Sequence, residues 1–338
     1  MSFRRSQYRK HSDLLDYEKR MTSPYSAATP ILSQVRVRCP TCGEAVQGLE
    51  RPACETCGWA ARVDAGIPVL LSTPARAGHD ELQHSSHGHK SAQRAHFDHS
   101  SDARFETVRP HGAPGLYRFL LDRKFQRAIE PIKGKLCGST ALVVCGGSGM
   151  DAEYLSRAGA QVISSDLSLG AAKRAKARSD HYDLDIASVV ADVEHLPFPD
   201  RSLELVAVHD GLHHLSDPYV GLAEMARVAR RWVLITEPAQ ANMTKLAIRS
   251  GLALEREEAG NRVARLEACE VTAFLEDRGF AILRAERYAM YYPHYPGTMF
   301  RLLSLPVVLP IVSRAWQAAN AAFGRFGNKL VVVGERAT

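Results

Sequence analysis

From Thr140 onward the chain alternates short apolar runs with stretches long enough for a helix, and this alternation limits the possible folds more than anything else in the sequence. Residues 141–145, 161–165, 187–191, 203–209 and 232–236 read as short buried strands, each separated from the next by a helical segment or a long turn. Such alternation predicts a mostly parallel, doubly wound α/β sheet with helices on both faces. Two later runs, 281–291 and 330–335, are expected to close one edge. In such a sheet, ligands bind at the carboxyl ends of the strands, so the polar residues that follow each run are the first to inspect.

A chain of 338 residues has room for about two domains at roughly 100–200 residues each. Its 45% apolar and 24% charged residues are ordinary for a globular protein and argue against a disordered or membrane-integral chain. A net charge of +6 is too mild to mark a nucleic-acid binder. The expected order is a flexible basic tail over 1–34, a metal ribbon over 35–72, a linker rich in His, Ser and Gly over 73–104, and the α/β domain over 105–338. Arg4-Arg5 is followed by no apolar stretch, and the few cysteines fit a reducing compartment, so a cytoplasmic location is expected. The run 302–312 is too short to span a bilayer and carries Pro306 and Pro310; peripheral contact with a membrane surface is the alternative to ordinary packing.

Cys39-Pro-Thr-Cys42-Gly43 and Cys54-Glu-Thr-Cys57-Gly58 lie with eleven residues between Cys42 and Cys54. Two such turns can aim four thiolates at one tetrahedral ion, and a closed set of four cysteines leaves no position for a reacting water. A structural zinc is therefore expected at Cys39, Cys42, Cys54 and Cys57, holding together a segment too small to fold unaided.

The first run of the α/β part ends in Cys145-Gly146-Gly147-Ser148-Gly149, a turn that lets a ligand approach bare backbone at a helix start. The second run is followed by Asp166-Leu167, the third by Asp192-Val193, and the fourth by His209-Asp210-Gly-Leu-His213-His214. Each strand thus delivers polar groups to one rim. The turn lacks the further glycine and the second phosphate-binding feature of dinucleotide folds.

The order of glycine turn, Asp166, Asp192-Val193 with LPFPDRSLELV, HDGLHHL and WVLITEP resembles the class I S-adenosylmethionine-dependent methyltransferases of the small-molecule type. The likeness runs from about 138 to 238 and again over 326–334. It implies a Rossmann-like, seven-stranded sheet and S-adenosylmethionine as cofactor. It also implies that Cys145, Gly146, Gly147 and Gly149 pass under the methionine and ribose, and that Asp166 takes the ribose hydroxyls. Leu167, Asp192 and Val193 would then meet the adenine, and His209 and Asp210 would flank the sulfonium. Where the family often has an acidic residue and a first glycine, this chain has Val143 and Cys145, which leaves Asp151 as a candidate for the methionine end.

Methyl transfer asks the protein mainly to align the acceptor and remove its proton. His213 or His214 is the expected general base, oriented by Asp210. The aromatic segment with Tyr291, Tyr292, Tyr295, Phe300, Trp316 and Phe323 points to a small-molecule, glycan or lipid-linked acceptor, most simply at a hydroxyl. A ribbon of this kind also resembles one found beside some RNA methyltransferases, which keeps an RNA base open, with Trp59 as the stacking residue. The departures at Val143 and Cys145 keep open a third reading, a non-catalytic cofactor-binding protein.

Overall fold

The computed structural model describes residues 31, 35–72, 83–98, 103–240 and 266–337, and residues 31–338 form one compact unit. The expected basic tail therefore lies, apart from Ile31, outside the described residues.

The strands of the α/β part fall where the apolar runs place them. β5 (Thr140–Val144), β6 (Gln161–Asp166), β7 (Ile186–Val190), β8 (Leu203–His209) and β9 (Ala229–Pro238) are parallel, and β10 (Phe280–Tyr288) and β11 (Lys329–Arg336) add antiparallel at one edge. Strands β5 to β7 are almost wholly buried, as parallel strands covered on both faces must be. The spatial order β7-β6-β5-β8-β9 reverses direction between β5 and β8, where an open α/β sheet forms its crevice.

Among the described residues the sheet has nine strands rather than the expected seven. The extra two come from the ribbon. Its first hairpin, β1 (Arg36–Arg38) with β2 (Ala45–Gln47), stands apart, but its second, β3 (Arg62–Asp64) with β4 (Ile67–Val69), joins the sheet at β7. Val69 pairs in parallel with Val190, and Leu70 N–H donates to Val190 O at 2.8 Å. Val37, Val46, Leu49, Cys54, Trp59 and Leu70 belong to the same buried cluster as Leu196 and Phe198. The ribbon is an integral part of the fold because its few apolar side chains find their core against the larger domain.

The 73–104 segment also departs from expectation. It contains a helix, α1 (Gln83–Asp98), whose polar composition gives no periodic apolar signal. What fixes it is tertiary. Asp98 Oδ1 accepts from Ser168 Oγ (2.7 Å) and Gly170 N–H (2.8 Å), and Arg174 reaches Phe97 O (2.8 Å). The helix therefore docks on the start of α5 (Leu169–His181), which follows α2 (Ala103–Val108), α3 (Gly115–Ile129) and α4 (Met150–Arg157) along the chain. Of the histidines in this segment, His79 and His99 lie outside the described residues.

Candidate active site

The carboxyl ends of β5, β6, β7 and β8 open onto one cavity of about 790 Å³. Cys145, Gly146, Gly147, Asp166, Leu167, Asp192, Val193, His209, Asp210, His213 and His214 all line it. Gly149 does not. Its φ of +76° turns the chain into α4, and a Cβ there would lie 3.0 Å from Ala175 Cβ, so this glycine lets α4 and α5 approach.

The turn after β5 is tightly built. Gly146 backs onto β6 so closely that a Cβ would fall 2.5 Å from Ser164 Oγ, whereas a Cβ on Gly147 would meet nothing within 4 Å. Cys145 adopts φ +51° and Asp210 φ +49°, left-handed conformations costly for side chains that are not glycine and typical of functional loops. The side chain of Cys145 is accommodated because residue 211 is glycine, where a Cβ would lie 2.4 Å from Cys145 Cβ. Val143 is fully buried in the core and cannot reach the cavity. Asp151 does line it, and burial pushes its carboxyl up to about 7.

Two carboxylates face the cavity from β6 and β7. Asp166 accepts the N–H groups of Gly147 and Ser168, each at 2.9 Å, so one side chain ties the glycine turn to the neighbouring strand. Burial raises its pKa, and those two donors oppose the shift. Asp192 caps the turn after β7 by accepting from Glu194 N–H (2.9 Å) and takes a 2.6 Å ion pair from Lys90 of α1. Burial would raise the Asp192 pKa, but His195 and Lys90 beside it bring it to about 2. Lys90 also holds Glu194 at 2.7 Å, and Phe97 packs edge-on against His214, so α1 covers the site from the side expected to be a linker.

His213 is buried, and its Nδ1 lies 2.8 Å from Glu237 Oε2. Glu237, at the end of β9, is fully buried, and its Oε1 also accepts the N–H groups of Gly211 (2.8 Å) and Leu212 (2.7 Å). A carboxylate with these partners fixes the loop and holds the imidazole by its Nδ1 edge. The orienting group is thus Glu237 and not Asp210 as expected. Asp210 is engaged elsewhere, accepting from Lys124 Nζ (2.5 Å), Lys329 Nζ (3.0 Å) and Tyr292 OH (3.1 Å). Burial would raise its pKa, yet the two ammonium groups hold it well below the carboxylate range. Burial, reinforced by the Lys124 charge, pushes His209 well below its ordinary value and keeps that ring neutral. Tyr292, His294 and Tyr295 complete the wall, and His294 pairs with Glu106 at 2.8 Å.

Away from this cavity, the sulfurs of Cys39, Cys42, Cys54 and Cys57 all lie within 4.8 Å of one another, with Cys39–Cys57 and Cys42–Cys54 each at 3.5 Å. Four thiolates about 2.3 Å from a zinc ion would sit about 3.8 Å apart, so the cluster fits that ion. Trp59, the expected stacking residue, is buried and donates to Leu71 O (3.3 Å), which removes it as a platform for a base.

Residues 142–233 match a family described as methyltransferase domain. The matched residues run from β5 into β9, the strands that carry the cavity. The chain is 34% identical over 108 residues to the demethylmenaquinone methyltransferase of Renibacterium salmoninarum, covering 32% of this chain and 44% of that protein. It is also 34% identical over 110 residues to that of Beutenbergia cavernae, with the same shares. The chain thus matches 44% of the length of these curated relatives. The fold is similar to that of magnesium protoporphyrin IX methyltransferase from Synechocystis PCC 6803 with bound SAH, with a TM-score of 0.50 and 16% identity over 74% of this chain and 100% of that one.

Proposed function

We propose that the chain is an S-adenosylmethionine-dependent methyltransferase acting on a small, lipid-linked acceptor at a hydroxyl that must lose its proton. The observation that carries this reading is the pairing of His213 with the buried Glu237 on the rim that also presents Asp166 and Asp192. The names of the relatives, which include a lipid quinone, favour the acceptor class.

The residues present fit the cofactor. Gly147 leaves open space beside bare backbone, Asp166 offers a carboxylate for ribose hydroxyls, and Leu167, Asp192 and Val193, which line the same cavity, would meet the adenine. When bound, S-adenosylmethionine supplies a methyl group on a sulfonium, already activated for displacement. His213 then removes the acceptor proton at Nε2 while Glu237 steadies the imidazolium that forms. Lys124 and Lys329 keep Asp210 ionised in the strained loop beside them, and α1 limits the entry of water. The four cysteines hold a structural zinc, and the ribbon serves the fold rather than an RNA.

Asp166→Ala is expected to weaken cofactor binding by about 10–100-fold in calorimetry, since it removes a charged acceptor worth roughly 1.5–3 kcal/mol. Wild-type protein that binds no cofactor would overturn the reading. With labelled S-adenosylmethionine and fractionated extract, label is expected in the lipid pool; label confined to RNA would reject the acceptor assignment.

A further inference from the structure

The outer surface of the segment between Tyr291 and Phe326 is unlike that of an ordinary surface helix pair. It comprises α8 (Thr298–Leu303) and α9 (Leu309–Phe323), which rest on α3. Leu309, Val312 and Trp316 face inward, with Leu116 N–H donating to Ser304 Oγ at 2.9 Å and Trp316 packed edge-on against Phe119. The opposite face should be charged. Instead Met299, Leu302, Leu305, Val307 and Ile311 are all exposed, Val307 by 79% and Ile311 by 66%. Further along α9 the outward positions are mostly alanine, ending in the exposed Phe323.

Charge on this face has a single sign. From Arg287 to Gly334 the sequence holds no Asp or Glu, while Arg301, Arg314 and Arg325 lie exposed along α8, α9 and the turn that follows. Scattered exposed apolar residues need no explanation, but a contiguous apolar strip flanked only by cations does. That combination suits an anionic bilayer surface, into which apolar side chains insert while arginines stay among the headgroups. Among the described residues no helix is long and apolar enough to cross a membrane, so this element would lie on the surface. The chain leaves the cavity wall at Tyr295 and enters α8 three residues later, at Thr298.

We propose that the α8–α9 face docks the protein on anionic lipid bilayers. Surface docking stands on the exposed side chains alone; only its use, to bring a lipid-linked acceptor to the cavity, rests on the function proposed above. The test is flotation of the full chain with vesicles of phosphatidylcholine alone and of phosphatidylcholine mixed equally with phosphatidylglycerol. Wild type is expected to float with the mixed vesicles and weakly or not at all with phosphatidylcholine. The double variant Val307→Glu, Ile311→Glu should lose roughly tenfold or more in partitioning, and Arg301→Gln with Arg314→Gln should weaken binding to the mixed vesicles. Unchanged melting temperature and cofactor affinity in these variants show that the fold persists, because none of the four residues lines the cavity. Absence of wild-type binding to the mixed vesicles, or equal partitioning of wild type and the glutamate variant, overturns the proposal. So does a dimer in sedimentation that the glutamate variant dissociates, if no vesicle binding accompanies it; the face would then serve a second copy. A chain that floats yet binds no S-adenosylmethionine would keep this inference and reject the proposed function.

Discussion

His213→Gln is expected to lower methyl transfer by about 10²–10⁴-fold while changing cofactor affinity by no more than about threefold. The magnitude is that of a positioned general base, and the structure gives reasons to assign that role to this ring. The Glu237 carboxylate holds Nδ1 at 2.8 Å, and the ring is buried on the cavity wall. His209 is held neutral among Lys124 and Phe125, and His214 stands between His213 and Phe97 of α1. The decisive measurement is turnover against pH. Wild type should show an acid limb from protonation of the imidazole, and the glutamine variant should lack it. Glu237→Gln should also lose turnover, but with lowered stability, because a buried acceptor of two N–H groups and an imidazole is disturbed. Turnover unaltered in His213→Gln would remove the imidazole from the mechanism.

Stripping the metal should have an effect as large, on stability rather than rate. Zinc-finger peptides gain about 10–16 kcal/mol from zinc, and a ribbon with three-residue strands has only that ion and its packing on the larger domain to hold it. In this chain the loss would not stay local. Val69 and Leu70 pair with Val190, and Asp192 follows two residues later, so an unfolded ribbon removes support from the β7 side of the cavity. The purified chain is expected to carry stoichiometric zinc. Chelation should lower the melting temperature markedly and weaken cofactor binding with it. Iron in place of zinc, or a melting curve indifferent to chelator, would refute the assignment.

Much of the sheet can be read from the sequence because parallel strands buried on both faces are made largely of apolar and small residues. Residues 203–209 coincide with β8, and the other parallel runs lie within a few residues of their strands. The polar residues after β5, β6, β7 and β8 also reach one rim, which topology alone requires. What stayed hidden depended on contacts distant in sequence. Glu237 lies 24 residues after His213, yet a carboxylate closing the apolar run Trp232–Thr236 already needed a buried partner. Lys124 sits on the inward face of α3 between Leu121 and Phe125, a cation among buried apolar neighbours, and that pattern signals a buried acid opposite. Helix α1 gives no such sign, because its place is set by Asp98, Lys90 and the elements they grip. The placement of β4 beside β7 was equally illegible, since three residues carry too little pattern to name a neighbour.

That placement has a further result. Without β4, the parallel array would end at Ile186–Val190, a fully buried strand whose unpaired amides could recruit strands from other molecules. The ribbon meets this border at Val190 with two very short strands, the inner one containing Pro68 and the outer one Arg62 and Asp64, a poor template for further growth. The ribbon thereby blunts one end of this border, next to the cavity that Asp192 and Val193 line.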